Sequence, residues 1–138
     1  MRVEYLTLED LLVLAGDLGV LEVRDVGLLD SAAHRPKSSV MAQDAYPTLH
    51  EKAAVLLESI VRNHPLVDGN KRLGWMAAFT FYGLNGVDLD APEDAAYDLV
   101  VGVSTGSLGY AEAASRLAEW TRADVAGPRE PGEFRFNV

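Results

Sequence analysis

An all-α fold is the reading this sequence favours, on three observations. Apolar residues recur at three- and four-residue intervals in stretch after stretch. No segment of useful length alternates apolar with polar residues, as a half-buried strand does. Stop signals such as Gly19, His64-Pro65 and Asn85-Gly86 close the periodic stretches.

Taken in order, Thr7-x-x-Asp10 reads as a capping box. Leu8, Leu11, Leu12, Ala15 and Leu18 follow at helical spacing until Gly19. A short helical turn is expected over Leu28 to Ala33. Arg35 to Tyr46 is polar, lacks a helical period and reads as a surface loop or small hairpin. Pro47 fits a helix start, where its missing N–H would be unpaired anyway. From Thr48, Leu49, Ala53, Leu56, Leu57, Ile60 and Val61 form one apolar stripe. His64-Pro65 ends it, because a residue before proline is pushed out of the α region. A helix from Asn70 to Leu84 is apolar nearly all round, which places it in the middle of a domain. Asn85-Gly86 stops it. Two amphipathic helices are expected over Pro92 to Thr105 and Tyr110 to Arg122. The organisation expected is one domain over residues 1–125 and a flexible tail over 126–138, rich in glycine and proline, whose Phe134-Arg135-Phe136 is able to dock.

Composition narrows the function classes. The chain has 138 residues, 49% of them apolar, enough for a core that needs no staples. It has no cysteine, which removes disulfides, Cys-ligated zinc, iron–sulfur clusters and thiol catalysis. A net charge of −9 argues against direct nucleic-acid binding, which is driven by Lys and Arg on phosphates. No apolar stretch is long enough to span a bilayer. Met1 to Asp10 carries acids where a signal peptide needs an apolar core, so the expected location is cytoplasmic.

The informative segment is His64-Pro65-Leu66-Val67-Asp68-Gly69-Asn70-Lys71-Arg72. One helix ends, a turn carries Asp and Gly, and a buried helix begins. A helix start presents unpaired N–H groups and the positive end of the dipole to an anion. Gly69 permits close backbone approach to a phosphate. Lys71 and Arg72 add positive charge in a chain that is acidic elsewhere. Asp68 is a hard oxygen ligand suited to Mg²⁺ shared with phosphate. The imidazole of His64 can take a proton from a hydroxyl. Each residue alone also has a plain structural use, as cap, turn or solvated charge. Their concentration ahead of a buried helix favours chemistry. Elsewhere, His50-Glu51-Lys52-Ala53-Ala54 begins like a zinc-protease motif but lacks the second histidine. His34 and His50 read as helix-end and surface residues. Trp75, Phe79, Tyr82, Tyr110 and Trp120 read as core or groove residues.

This stretch resembles the motif of the Fic/Doc family, His-x-Phe-x-Asp/Glu-Gly-Asn-Gly-Arg-x-x-Arg. Asn70-Lys71-Arg72, with Trp75 where a second Arg would stand, resembles the Doc branch. Leu66 replaces the usual Phe. Tyr5-Leu6-Thr7, Asn85-Gly86 and Val101-Gly102-Val103-Ser104-Thr105-Gly106 extend the likeness over residues 1–122. The resemblance implies a compact helical domain with a short β-hairpin flap. It implies that His64 deprotonates a Ser or Thr of a target protein, with Asp68 and Arg72 as further catalytic residues. Asp68 would orient Mg²⁺, and Gly69, Asn70, Lys71 and Arg72 would hold the phosphates of ATP. Arg62 lies close enough to add charge. Lys37, Ser38, Ser39, Val40 and Met41 would form the target-aligning flap, acting by strand addition. The Doc branch is associated with phosphoryl transfer to a translation elongation factor, by a toxin held in check by an antitoxin whose helical segment lies in a groove. No Glu is followed by Gly or Asn, so the family's built-in inhibitory motif is missing, which favours such an external partner. The alternatives are AMP transfer by the same residues and an inactive binding module.

Overall fold

The computed structural model describes residues 2–20 and 22–128. Six helices carry the fold, in the order α1 (Leu8–Asp17), α2 (Val26–His34), α3 (Leu49–Asn63), α4 (Asn70–Leu84), α5 (Glu93–Thr105) and α6 (Tyr110–Glu119). Between α2 and α3 lies a single 3₁₀ turn, Arg35–Lys37, then a hairpin of β1 (Ser39–Val40) and β2 (Gln43–Asp44). A second small sheet pairs β3 (Val87–Leu89) with β4 (Thr121–Ala123).

Local chemistry explains most of the helix boundaries. The Thr7 side chain accepts from the Asp10 N–H while the Asp10 carboxylate accepts from the Thr7 N–H, a complete capping box for α1. Asp25 and Thr48 cap α2 and α3 in the same sense. Helix α3 begins at Leu49, so Pro47 stands just ahead of the cap and not at the first helical position. Helix α2 is nine residues long, where the sequence suggests a short turn over Leu28 to Ala33: the Asp25 cap starts it at Val26, and it runs on through His34.

The centre of the molecule is α3. Every residue from Lys52 to Val61 is buried, and α3 packs against α2, α4, α5 and α6. Helix α4, expected to be the more enclosed, leaves Trp75, Met76 and Phe79 only half-buried. The two helices approach closely at Gly74, where an added Cβ would lie 2.6 Å from Val61 Cγ1 and 2.9 Å from Leu57 Cδ1. Around this pair Leu11, Leu14, Leu29, Leu73, Phe81, Leu99 and Leu117 complete one core.

The C-terminal part corrects the sequence reading. Helix α6 stops at Glu119, and Thr121–Ala123 pairs antiparallel with Val87–Leu89, placing Arg122 opposite Asp88. Three residues are too few to show alternation. Past β4 the Asp124 N–H donates to the Gly86 carbonyl, the Gly127 N–H donates to the Asp124 carbonyl, and the Pro128 ring stands beside Gly86. The rest of that segment, with Phe134 and Phe136, lies outside the described residues. Among the described residues no helix is long and apolar enough to cross a membrane.

Candidate active site

His64 is the C-cap of α3, in the left-handed region with φ 51° and ψ 60°. The helix closes on the His64 N–H, which donates to the Ile60 carbonyl. Proline at 65 does exclude the right-handed α region, but the cap turns left-handed instead of extending. This sharp reversal leaves the His64 side chain exposed beside the start of α4.

Asn70 fixes the turn between the two helices. It is buried; its Oδ1 accepts from the Leu66 N–H at 2.9 Å and its Nδ2 donates to the Leu66 carbonyl at 3.0 Å. The same Nδ2 lies 3.5 Å from His64 Nδ1, a contact at the outer limit of hydrogen bonding that steers the ring without fixing its tautomer. Asn70 therefore spends its side chain on the turn and on His64, and its backbone N–H is left to face an anion.

The start of α4 is open. Its N-cap is Gly69, in the left-handed region with no side-chain cap. The first intrahelical bond runs from the Leu73 N–H to the Gly69 carbonyl, so the N–H groups of Asn70, Lys71 and Arg72 precede the ladder. Gly69 is needed for two local reasons: φ is +85°, and a Cβ would lie 2.7 Å from Val20 Cγ2. Its closeness is to Val20, where the sequence suggests a phosphate. Asp68 is exposed, and its Oδ1 accepts from the Gly69 N–H at 2.8 Å. Among the described residues no three His, Asp or Glu side chains converge to hold a metal unaided. A single exposed carboxylate beside an open helix start suits Mg²⁺ that shares its ligands with phosphate.

Lys71 and Arg72 are exposed at the mouth of an apolar cleft of about 620 Å³ between α4 and α5, lined by Trp75, Met76, Ala96, Tyr97 and Val100. Arg72 also donates through Nη2 to the Leu18 carbonyl at the end of α1, 2.8 Å away. Arg62, expected to add charge to the site, is occupied elsewhere. It donates to the Val103 and Leu108 carbonyls, both at 2.8 Å, and pairs with Glu58.

Of the residues expected in the flap, Ser39 and Val40 form the first strand of the hairpin and Met41 its tip, Lys37 ends the 3₁₀ turn, and Ser38 links the two. The pairing Ser39 with Asp44 and Val40 with Gln43 leaves a two-residue turn, Met41-Ala42, with φ of 52° and 65°. Val40 and Met41 are exposed.

Two residues that tie separate segments together stand outside the sequence motifs. Arg24, in the α1–α2 loop, donates to the His64 carbonyl at 2.6 Å and to the Asn63 carbonyl at 2.8 Å. It satisfies the last carbonyls of α3 and places a cation at the negative end of that helix. The same loop holds the turn by backbone bonds: Arg24 and Asp25 N–H donate to Pro65, and the Val67 N–H donates to Glu22. Lys52 is the other. Its one available signal was a lysine standing a turn before Leu56, on the apolar stripe of α3. His50 also differs from expectation: it is half-buried, with Nδ1 2.8 Å from the Tyr82 hydroxyl, and burial lowers its pKa.

A charge-flanked helix start, a histidine at the preceding helix end and a hairpin nearby define a class. The chain belongs to the Fic/DOC family, whose model matches residues 4–82. Among its relatives is a protein of Mycolicibacterium smegmatis (strain ATCC 700084 / mc(2)155) named Toxin Doc. It is 49% identical over 129 residues, covering 90% of this chain and 98% of that protein.

Proposed function

We propose that this chain is the toxin of a toxin–antitoxin pair and that it transfers the γ-phosphoryl group of ATP to a Ser or Thr of a target protein. The toxin reading rests on family membership and on the likeness to Toxin Doc. The observation that carries the chemistry is the open start of α4, uncapped by any side chain and adjoining His64. There the N–H groups of residues 70–72, with Lys71 and Arg72, hold phosphate oxygens. His64 takes the proton of the attacking hydroxyl. The new bond forms between that oxygen and the γ-phosphorus, the bond from phosphorus to the bridging oxygen breaks, and ADP leaves. Mg²⁺, held by Asp68 and the phosphates, would neutralise charge on the oxygens. Positioning and charge stabilisation are the main demands of such a transfer. A translation elongation factor is the target class that the Doc resemblance favours. The apolar cleft between α4 and α5, with two cations at its mouth, is where an antitoxin helix would lie.

The test uses purified protein, bacterial lysate, Mg²⁺ and ATP labelled at the γ- or the α-phosphate. A protein band labelled only from γ-labelled ATP, and lost with His64→Ala, is the expected result. Label from the α-phosphate would make the chain an AMP transferase. Transfer that persists in His64→Ala would refute the assignment of the base.

A further inference from the structure

Lys52 is fully buried in the middle of a protein that has no evident need of a cation there. Its ammonium donates to the Tyr46 carbonyl at 2.5 Å, to Asp44 Oδ2 at 3.1 Å and to the Pro36 carbonyl at 3.4 Å. It also lies 5.9 Å from the ring centroid of Tyr5. Pro36 precedes the flap hairpin, Asp44 is in its second strand, and Tyr46 follows it. One side chain thus binds both ends of the flap.

We propose that Lys52 is a positioning residue that registers the flap against α3, and so against His64 at the far end of the same helix. The proposal rests on the reading above, in which the flap aligns the acceptor. Packing alone does not call for this lysine. Burying an ammonium costs desolvation that an apolar side chain of similar volume would not incur, and its carboxylate partner Asp44 is itself largely exposed. What the ammonium adds is direction: three oxygens from two segments converge on one point of a rigid helix. From position 52 to 64, α3 runs about 18 Å, a fixed ruler between latch and base. A second tie works in the same sense. Arg35 donates to Glu58 Oε1 at 2.9 Å and Ser59 Oγ at 3.0 Å on α3, and to the Tyr46 hydroxyl at 3.2 Å. Among the described residues the tip has no such side-chain ties, and Met41 is 93% exposed. The flap is therefore pinned at its base and free at its tip.

Lys52→Met keeps the stem and removes the ammonium. Two readouts test it in the full-length protein. The first is backbone ¹⁵N relaxation of residues 38–45, with α4 as internal reference. The expected result is a flap more mobile than in the unchanged protein beside an unaltered α4. The second is label transfer from ATP to the lysate band that the unchanged protein marks, together with affinity for Mg-ATP. Transfer should fall at least about tenfold, towards the roughly hundredfold that an ångström-sized misplacement can cost, while Mg-ATP affinity holds. If Lys52→Met does not fold, Asp44→Asn at the exposed end of the pair should give a smaller change in the same two readouts. Unchanged flap dynamics in a folded variant would overturn the proposal. So would a loss of Mg-ATP affinity in step with transfer, since that marks general loosening. If the unchanged protein marks no band, the kinase reading fails, and relaxation alone decides whether Lys52 sets the flap.

Discussion

Gly69 condenses two constraints into one residue. Its φ of +85° disfavours any side chain, and Val20 stands where a Cβ would go. Gly69→Ala should cost about 1–2 kcal/mol from the backbone alone, read as a lowered melting temperature. The steric part should be recovered by adding Val20→Ala, so a double-mutant cycle should give a favourable coupling. His50 makes a different kind of statement. Burial lowers its pKa, so between the folded and unfolded values the unfolded chain binds more protons. The stability this burial affects is complete above the ordinary histidine value, about 6.5, and is lost as pH falls through the lowered folded value. His50→Gln should therefore melt with a shallower acid dependence below that pH than the unchanged protein. Parallel slopes would contradict the argument. At Arg35 burial opposes the charge, but the Tyr46 hydroxyl and the Glu58 carboxylate outweigh it and raise the pKa.

Among the elements, α3 and α4 decide the geometry of the candidate site, because one ends at His64 and the other begins at Asn70. Their separation depends on Gly74, whose missing side chain admits Val61 and Leu57. Gly74→Ala improves helix propensity yet should destabilise by about 1–3 kcal/mol through overpacking, visible as a lower urea midpoint. An increase in stability would mean the two helices separate freely. The same change should reduce transfer activity, since any shift of α4 moves its open N-terminus relative to His64. Helix α6 illustrates a limit of periodicity. Its apolar positions continue past Glu119 into Trp120, but the Trp120 carbonyl accepts from the Asp90 N–H, and the next residues pair with β3.

Across the whole molecule, three distant segments meet at the motif: the α1–α2 loop, the α3–α4 turn and the face of α5 that borders the cleft. Lys71 and Arg72 belong both to the cleft and to the proposed phosphate site, whereas Tyr97 on α5 belongs to the cleft alone, so inhibition and chemistry should separate by mutation on α5. Tyr97 is 65% exposed on the α5 wall. Tyr97→Arg should leave the melting temperature and label transfer unchanged while weakening neutralisation by a co-expressed cognate antitoxin. Growth arrest that the antitoxin still relieves fully would place the antitoxin elsewhere.

Family, helical class and the turn between α3 and α4 were legible in the amino-acid sequence because they are local. Capping by Thr7 and Thr48, the stripe of α3 and the run from His64 to Arg72 all act over a few residues, where spacing and residue type suffice. The hairpin flap was legible only as a polar interruption between helices. Arg24 on the His64 carbonyl, Lys52 beneath the flap, Arg62 turned to α5 and the pairing of β3 with β4 were decided by tertiary structure. The physical reason is common to all four. Each is a polar group whose partner lies on another segment, most of them tens of residues away. A buried or bridging charge becomes intelligible only when the oxygens that receive it have been brought together.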